Sequence, residues 1–161
     1  MSTQAVSDMR TTLRPRMRHP VELVPEALTA LLALSKESSK SGAERRIFEL
    51  IHLRASQING CSVCTQMHSR GLMKEGESPE RIFAVAAWRE SSLFTDAERA
   101  ALALTEAATR LCDRSNPVPE EVFAEAARHF SERELADLVL HIAQINLWNR
   151  INVIVGMPAG A

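Results

Sequence analysis

Helix start and stop signals recur at short intervals along this chain, and strand-period alternation is nearly absent. Thr95-Asp96-Ala97-Glu98 and Ser131-Glu132-Arg133-Glu134 are capping boxes. In each, the first hydroxyl and the fourth carboxylate satisfy backbone N–H groups that the first helical turn leaves free. Ser78-Pro79-Glu80 pairs an N-cap serine with proline at the first helical position. Pro25 and Pro119 open two further segments, and Asn59-Gly60 and Gly76 close two. Ala and Leu dominate, Tyr is absent, and only two Trp and five Phe occur in 161 residues. These choices favour an all-α fold. The punctuation predicts seven helices: from Pro25, with Leu28, Leu31, Leu32 and Leu34 as its apolar stripe, to about Ser38; Ala43 to Ile58; Cys61 to Glu75; Pro79 to Trp88; Asp96 to Leu111; Pro119 to His129; and Glu132 to Val155. Residues 25–161 then form one helical domain behind a basic arm, residues 1–24, that carries Arg10, Arg14, Arg16 and Arg18.

The last predicted helix is apolar on nearly every side, which places it centrally or at a subunit interface. Its Asn146, Asn149 and Asn152 are poor helix formers and need partners if buried. The triplet Gln57-Ile58-Asn59 recurs as Gln144-Ile145-Asn146, too short an echo to establish a repeat.

Composition excludes several functions. A net charge of −1 argues against nucleic-acid binding driven by bulk charge. No apolar run is long enough for a membrane span. No secretory leader pattern is visible in residues 1–19, so a reducing cytoplasm is expected, where close cysteines read as redox chemistry or metal binding. No Gly-rich fingerprint for a nucleotide or flavin occurs, and the expectation is no cofactor and no resident metal.

The chemistry concentrates in Glu49 to His68. At about 100° per residue, Cys61, Cys64 and His68 fall within about 60° of arc on one helix face. The Asn59-Gly60 break puts Cys61 at a helix start, where free N–H groups and the macrodipole favour an anion. Lowering a thiol from about 8.5 to about 6.5 takes about 2.7 kcal/mol, and a helix terminus supplies at best about 2. An imidazole is the expected supplement, and His68 is placed for it. A CxxC pair is also close enough to form a disulfide reversibly. Two alternatives stand beside this reading: inert core cysteines, and a metal site in which Glu49 or His52 completes Cys61, Cys64 and His68. Elsewhere, Cys112, Met67 and Met73 read as core residues, and Trp88 and Trp148 as packing or interface residues. His19, His129 and His141 have no partner visible in the sequence.

A Glu, eleven residues, CxxC, three residues and a His, here Glu49, Cys61, Cys64 and His68, resembles the alkylhydroperoxidase AhpD family of the carboxymuconolactone decarboxylase superfamily. The stretches Ala55–Gly60, Ala87–Arg89, Phe94–Leu102 and Trp148–Arg150 extend the resemblance over roughly residues 44–155. It implies an all-α fold, a homo-oligomer and thiol-dependent peroxidase activity toward a small hydroperoxide. One cysteine becomes a sulfenic acid, the other resolves it as a disulfide, and a dithiol or lipoyl-type reductant restores the pair. Glu49 and His68 are implied as the proton relay. Well-studied members carry a His between the cysteines, where this chain has Ser62 and Val63. Which cysteine attacks is left open. The competing functions are a non-catalytic oligomeric redox sensor, a metal-binding helical protein and a decarboxylase-type enzyme.

Overall fold

Both capping boxes close in the computed structural model, which describes residues 13–112 and 114–160. Thr95 Oγ1 accepts from the Glu98 amide at 3.2 Å while Glu98 Oε2 accepts from the Thr95 amide at 2.8 Å. Ser131 and Glu134 do the same at 3.3 and 2.8 Å, and Ser78 Oγ caps the Arg81 amide at 3.3 Å. The elements are α1 (Pro20–Leu23), α2 (Pro25–Glu37), α3 (Arg45–Asn59), α4 (Ser62–Lys74), α5 (Pro79–Ala84), a 3₁₀ segment (Val85–Glu90), α6 (Asp96–Thr109), α7 (Glu120–His129) and α8 (Glu132–Val155). The fold is all-α, and no strand occurs among the described residues.

Three departures from the expected helices have local causes. Helix α1 is a single turn opened by Pro20, too short to leave a periodic pattern. It lies in the expected arm, whose residues 1–12 fall outside the described residues. The helix expected to end at Trp88 tightens into the 3₁₀ segment, with Ala87 at φ −125°, ψ 35°. That turn lets Trp88 and Arg89 both reach the Glu106 carboxylate. Helix α6 stops at Thr109, so Cys112 lies beyond it and is exposed; its reading as a core residue is corrected.

Helix α3 is the central element, packed on α4, α6 and α8. Ile47, Phe48 and Ile51 join Leu104 of α6 and Leu138 and Ile142 of α8 in one core. Leu50 and Leu53 join Leu72 of α4, Trp88 and Leu102 in a second. Each such side chain contributes roughly 1.5–3 kcal/mol by burial. Between the two apolar faces runs a polar stripe, Glu49, His52, Ser56 and Asn59, at helical spacings of three and four. Its lower end is fastened to α8: Asn59 Nδ2 donates to Asn146 Oδ1 and Asn149 Oδ1, both at 2.9 Å, and Asn149 Nδ2 donates to Ser56 Oγ at 3.0 Å. Those bonds answer the demand that the helical asparagines raise.

Candidate active site

The α3–α4 corner sets the cysteines. Gly60 takes φ 67°, a left-handed conformation that glycine adopts without a Cβ penalty. The Gly60 amide then bonds Gln57 O at 3.4 Å and the Cys61 amide bonds Ser56 O at 3.0 Å, a Schellman closure. Cys61 is thereby the N-cap of α4, not its first helical residue, and its Sγ accepts from the Cys64 amide at 3.3 Å. Cys61 and Cys64 form a disulfide with a Cα–Cα distance of 5.3 Å.

Helix α4 buries Cys64, His68 and Leu72, one stripe at spacing four. His68 Nδ1 lies 2.8 Å from Glu49 Oε2 on α3. A carboxylate accepts, so Nδ1 carries the proton, and Nε2 presents a lone pair. That Nε2 is buried with no hydrogen-bond partner. Glu49 fits against α4 only because residue 71 is glycine: a Cβ there falls 2.4 Å from Glu49 Oε2.

The fold brings two further histidines to this place: His52, which the sequence offered only as a ligand completing a metal site, and His141, which it left unassigned. His52 and His68 rings lie 4.7 Å apart, and His52 Nε2 lies 3.1 Å from His141 Nδ1 on α8. His141 Nε2 meets Ser38 O at 3.1 Å and its ring stacks on Phe48. Burial, then the neighbouring imidazoles of His68 and His141, hold His52 well below the ordinary imidazole range. Burial also lowers His141, against the opposing pull of its bond to Ser38 and of Asp137 and Glu49. Asn152 is a further residue the motif does not name: its Nδ2 donates to Cys64 Sγ at 3.3 Å, and its Oδ1 accepts from His19 Nε2 at 3.1 Å. Position three after Glu49 was the available signal for His52; the need of a helical Asn for a partner was the signal for Asn152.

Cys64, His52, His68 and His141 all border a cavity of about 480 Å³. Its apolar walls are Leu28 and Leu31 of α2, Val63 and Met67 of α4, and Ile145 and Trp148 of α8. Met67 and Trp148 are therefore wall residues, and Met67 and Met73 are half exposed rather than core. Cys61 borders a separate groove of about 330 Å³ with Arg14, Arg16 and Pro158. The segment carrying these arginines is strapped to the end of α8, where the Arg16 amide bonds Val155 O at 2.7 Å and Nη1 bonds Ile154 O at 2.8 Å. The two cysteines thus border different spaces.

An all-helical scaffold holding a dithiol–disulfide pair beside a Glu–His couple defines the class. The chain belongs to the carboxymuconolactone decarboxylase family, whose model matches residues 23–107. It is 38% identical over 140 residues to YdfG, an uncharacterized protein of Bacillus subtilis, covering 87% of this chain and 94% of that one. ATU0492 of Agrobacterium tumefaciens, described as a protein of unknown function and a candidate antioxidant defence protein AhpD, has a crystal structure that superposes with a TM-score of 0.84 at 35% identity. The match covers 92% of this chain and 99% of that one. A shorter stretch of 45 residues is 42% identical to the alkyl hydroperoxide reductase AhpD of Corynebacterium kroppenstedtii, 28% of this chain and 26% of that protein. No helix among the described residues is long and apolar enough to cross a membrane.

Proposed function

We propose that the chain is a thiol-dependent hydroperoxidase, working as a homo-oligomer in the cytoplasm with a dithiol or lipoyl-type reductant. The observation that carries this reading is that Cys64 and His68 border the same apolar cavity, with one nitrogen of His68 held by Glu49 and the other buried and unpartnered. In the reduced protein His68 Nε2 takes the Cys64 thiol proton, and Glu49 stabilises the imidazolium. The thiolate attacks the terminal oxygen of the hydroperoxide and the O–O bond breaks. The sulfur becomes a sulfenic acid, and the leaving alkoxide recovers the proton from His68 as an alcohol. The Cys61 thiol then displaces water to form the disulfide. Two electrons from an external dithiol restore the pair; its thiolate attacks Cys61 from the groove side and expels Cys64, whose sulfur the Asn152 amide already contacts. Exposed Val139, Val153 and Ile154 on α8 supply an apolar surface for a second copy.

The test is continuous hydroperoxide consumption by the wild-type protein with dihydrolipoamide. Many turnovers per chain are expected. Consumption of one equivalent, ending in a stable disulfide, would overturn the enzyme in favour of the sensor.

Gly71→Ala tests the relay without touching a reacting group. Only the end of the Glu49 side chain must move, and alanine suits a helix better than glycine by roughly 0.5–1 kcal/mol. The melting temperature is expected to hold or rise. Displacing Glu49 from His68 is expected to lower kcat by about 10- to 100-fold. An unchanged kcat would remove Glu49 from the mechanism.

A further inference from the structure

Two adjacent helices each carry a pair of potential ligands, and Cys64, His52 and His68 border the same cavity. Helix α3 offers Glu49 and His52, three residues apart, and α4 offers Cys64 and His68, four apart. Both spacings put side chains on one helix face. One nitrogen of His52, one of His68 and one carboxylate oxygen of Glu49 lie within 4.8 Å of one another.

Hydrogen bonding fixes which nitrogens carry lone pairs. Ser38 O can only accept, so His141 Nε2 carries a hydrogen and its Nδ1 accepts. His52 Nε2 therefore donates to His141 Nδ1, and His52 Nδ1 keeps its lone pair. Glu49 fixes His68 in the opposite tautomer, with the lone pair on the buried, unpartnered Nε2. Each imidazole thus has one nitrogen anchored by an outer partner and one free to bind, which is how metal-ligating histidines are held. In the disulfide, Cys64 has no thiolate to add. Reduction supplies it.

We propose that reducing the Cys61–Cys64 disulfide completes a binding site for one borderline-soft divalent cation of the zinc type, with His52, His68 and the Cys64 thiolate as direct ligands. Glu49 buttresses His68 from behind, and His141 buttresses His52. Two nitrogens and one sulfur select zinc over magnesium or calcium. The thiolate and the Glu49 carboxylate together neutralise the dication against the apolar cavity wall, and binding releases the Cys64 thiol proton. Zinc bonds of about 2.0–2.3 Å need donors roughly 3.3–3.8 Å apart, so the imidazole nitrogens and the sulfur draw together on binding. All three ligands border the cavity, from which a fourth ligand can enter. Binding itself is independent of the peroxidase reading; if that reading holds, the cation occupies the same sulfur and nitrogen and inhibits turnover.

The test is a cobalt(II) titration of the metal-free, full-length protein, reduced with a phosphine, desalted and kept anaerobic. One cobalt per chain is expected, with a thiolate-to-cobalt charge-transfer band that zinc abolishes by displacement. The disulfide form is expected to show neither. Cys61→Ser, which keeps Cys64 but cannot form the disulfide, is expected to give the same band without any reductant. Cys64→Ser is expected to lose it, and His52→Gln to weaken binding at least 10-fold with an unchanged melting temperature. A band that survives in Cys64→Ser, equal binding by oxidised and reduced protein, no band in Cys61→Ser, or wild-type affinity in His52→Gln would each overturn the site. No peroxide enters this assay, so absent turnover in the wild type would leave its result unaffected.

Discussion

Cys64→Ser is expected to lose hydroperoxide turnover by at least about a thousandfold, whereas Cys61→Ser loses turnover but still consumes one equivalent of peroxide. The two variants separate attack from resolution. A serine hydroxyl in place of Cys64 is a far weaker nucleophile near neutral pH, even with His68 to take its proton. Without Cys61, the sulfenic acid forms on Cys64 and has no partner thiol three residues away. It is then open to trapping by a carbon nucleophile and detection by mass spectrometry. The expected order rests on position: Cys64 borders the apolar cavity with His68, and Cys61 borders the arginine-lined groove. A trapped sulfenic acid on Cys61 in the Cys64→Ser variant, with none on Cys64 in the Cys61→Ser variant, would reverse the assignment.

Glu106→Ala is expected to destabilise the fold by about 3–5 kcal/mol, measured as a drop in the urea unfolding midpoint with the slope unchanged. Glu106 on α6 is buried and accepts from Arg54 Nε at 2.7 Å and from Trp88 Nε1 at 3.0 Å, and Arg89 also bonds its carboxylate. Removing it strands the Arg54 guanidinium, itself little exposed, and leaves the Trp88 N–H without its acceptor. Burial pulls the Glu106 carboxyl upward, but the bonds from Arg89, Trp88 and Arg54 outweigh it and hold the folded-state pKa below the ordinary range. The unfolded chain therefore binds this proton more readily. The contribution is complete above the ordinary carboxylate range and is lost as pH falls through and below it. The wild type is expected to lose stability across that acid window more steeply than Glu106→Gln. Parallel pH profiles for the two proteins would show that the carboxylate charge plays no part.

The helices were legible wherever the signal was local. Caps at Ser78, Thr95 and Ser131 act within four residues, and each forms the bond its residue types call for. Cys61, Cys64 and His68 were legible from their spacing on one helix face; Glu49 joined them only through the family resemblance. His141 was not, because its partner His52 lies 89 residues away in sequence and nothing near either residue points to the other. The same holds for Asn152 and Cys64, 88 residues apart. Trp148 misled for a different reason. An apolar helix reads alike whether its large residues meet a neighbouring helix or border an internal cavity. Ala87-Trp88-Arg89 was read as part of the resemblance; its physical content is a clamp on Glu106, visible only once α6 lies beside it.

Helix α3 is enclosed on several sides, with two apolar cores and a stripe of buried or half-buried polar groups between them. A rotation of one residue, about 100°, would turn Glu49, His52, Ser56 and Asn59 toward hydrocarbon and bring leucines to the sulfur site. The helix therefore has a single workable setting, and neutral drift has few places to act on it. Libraries for altered substrate scope belong on α2 and on the cavity side of α8, where Leu28, Leu31 and Trp148 meet the empty volume. Diversity placed on α3 would be spent on variants that do not fold.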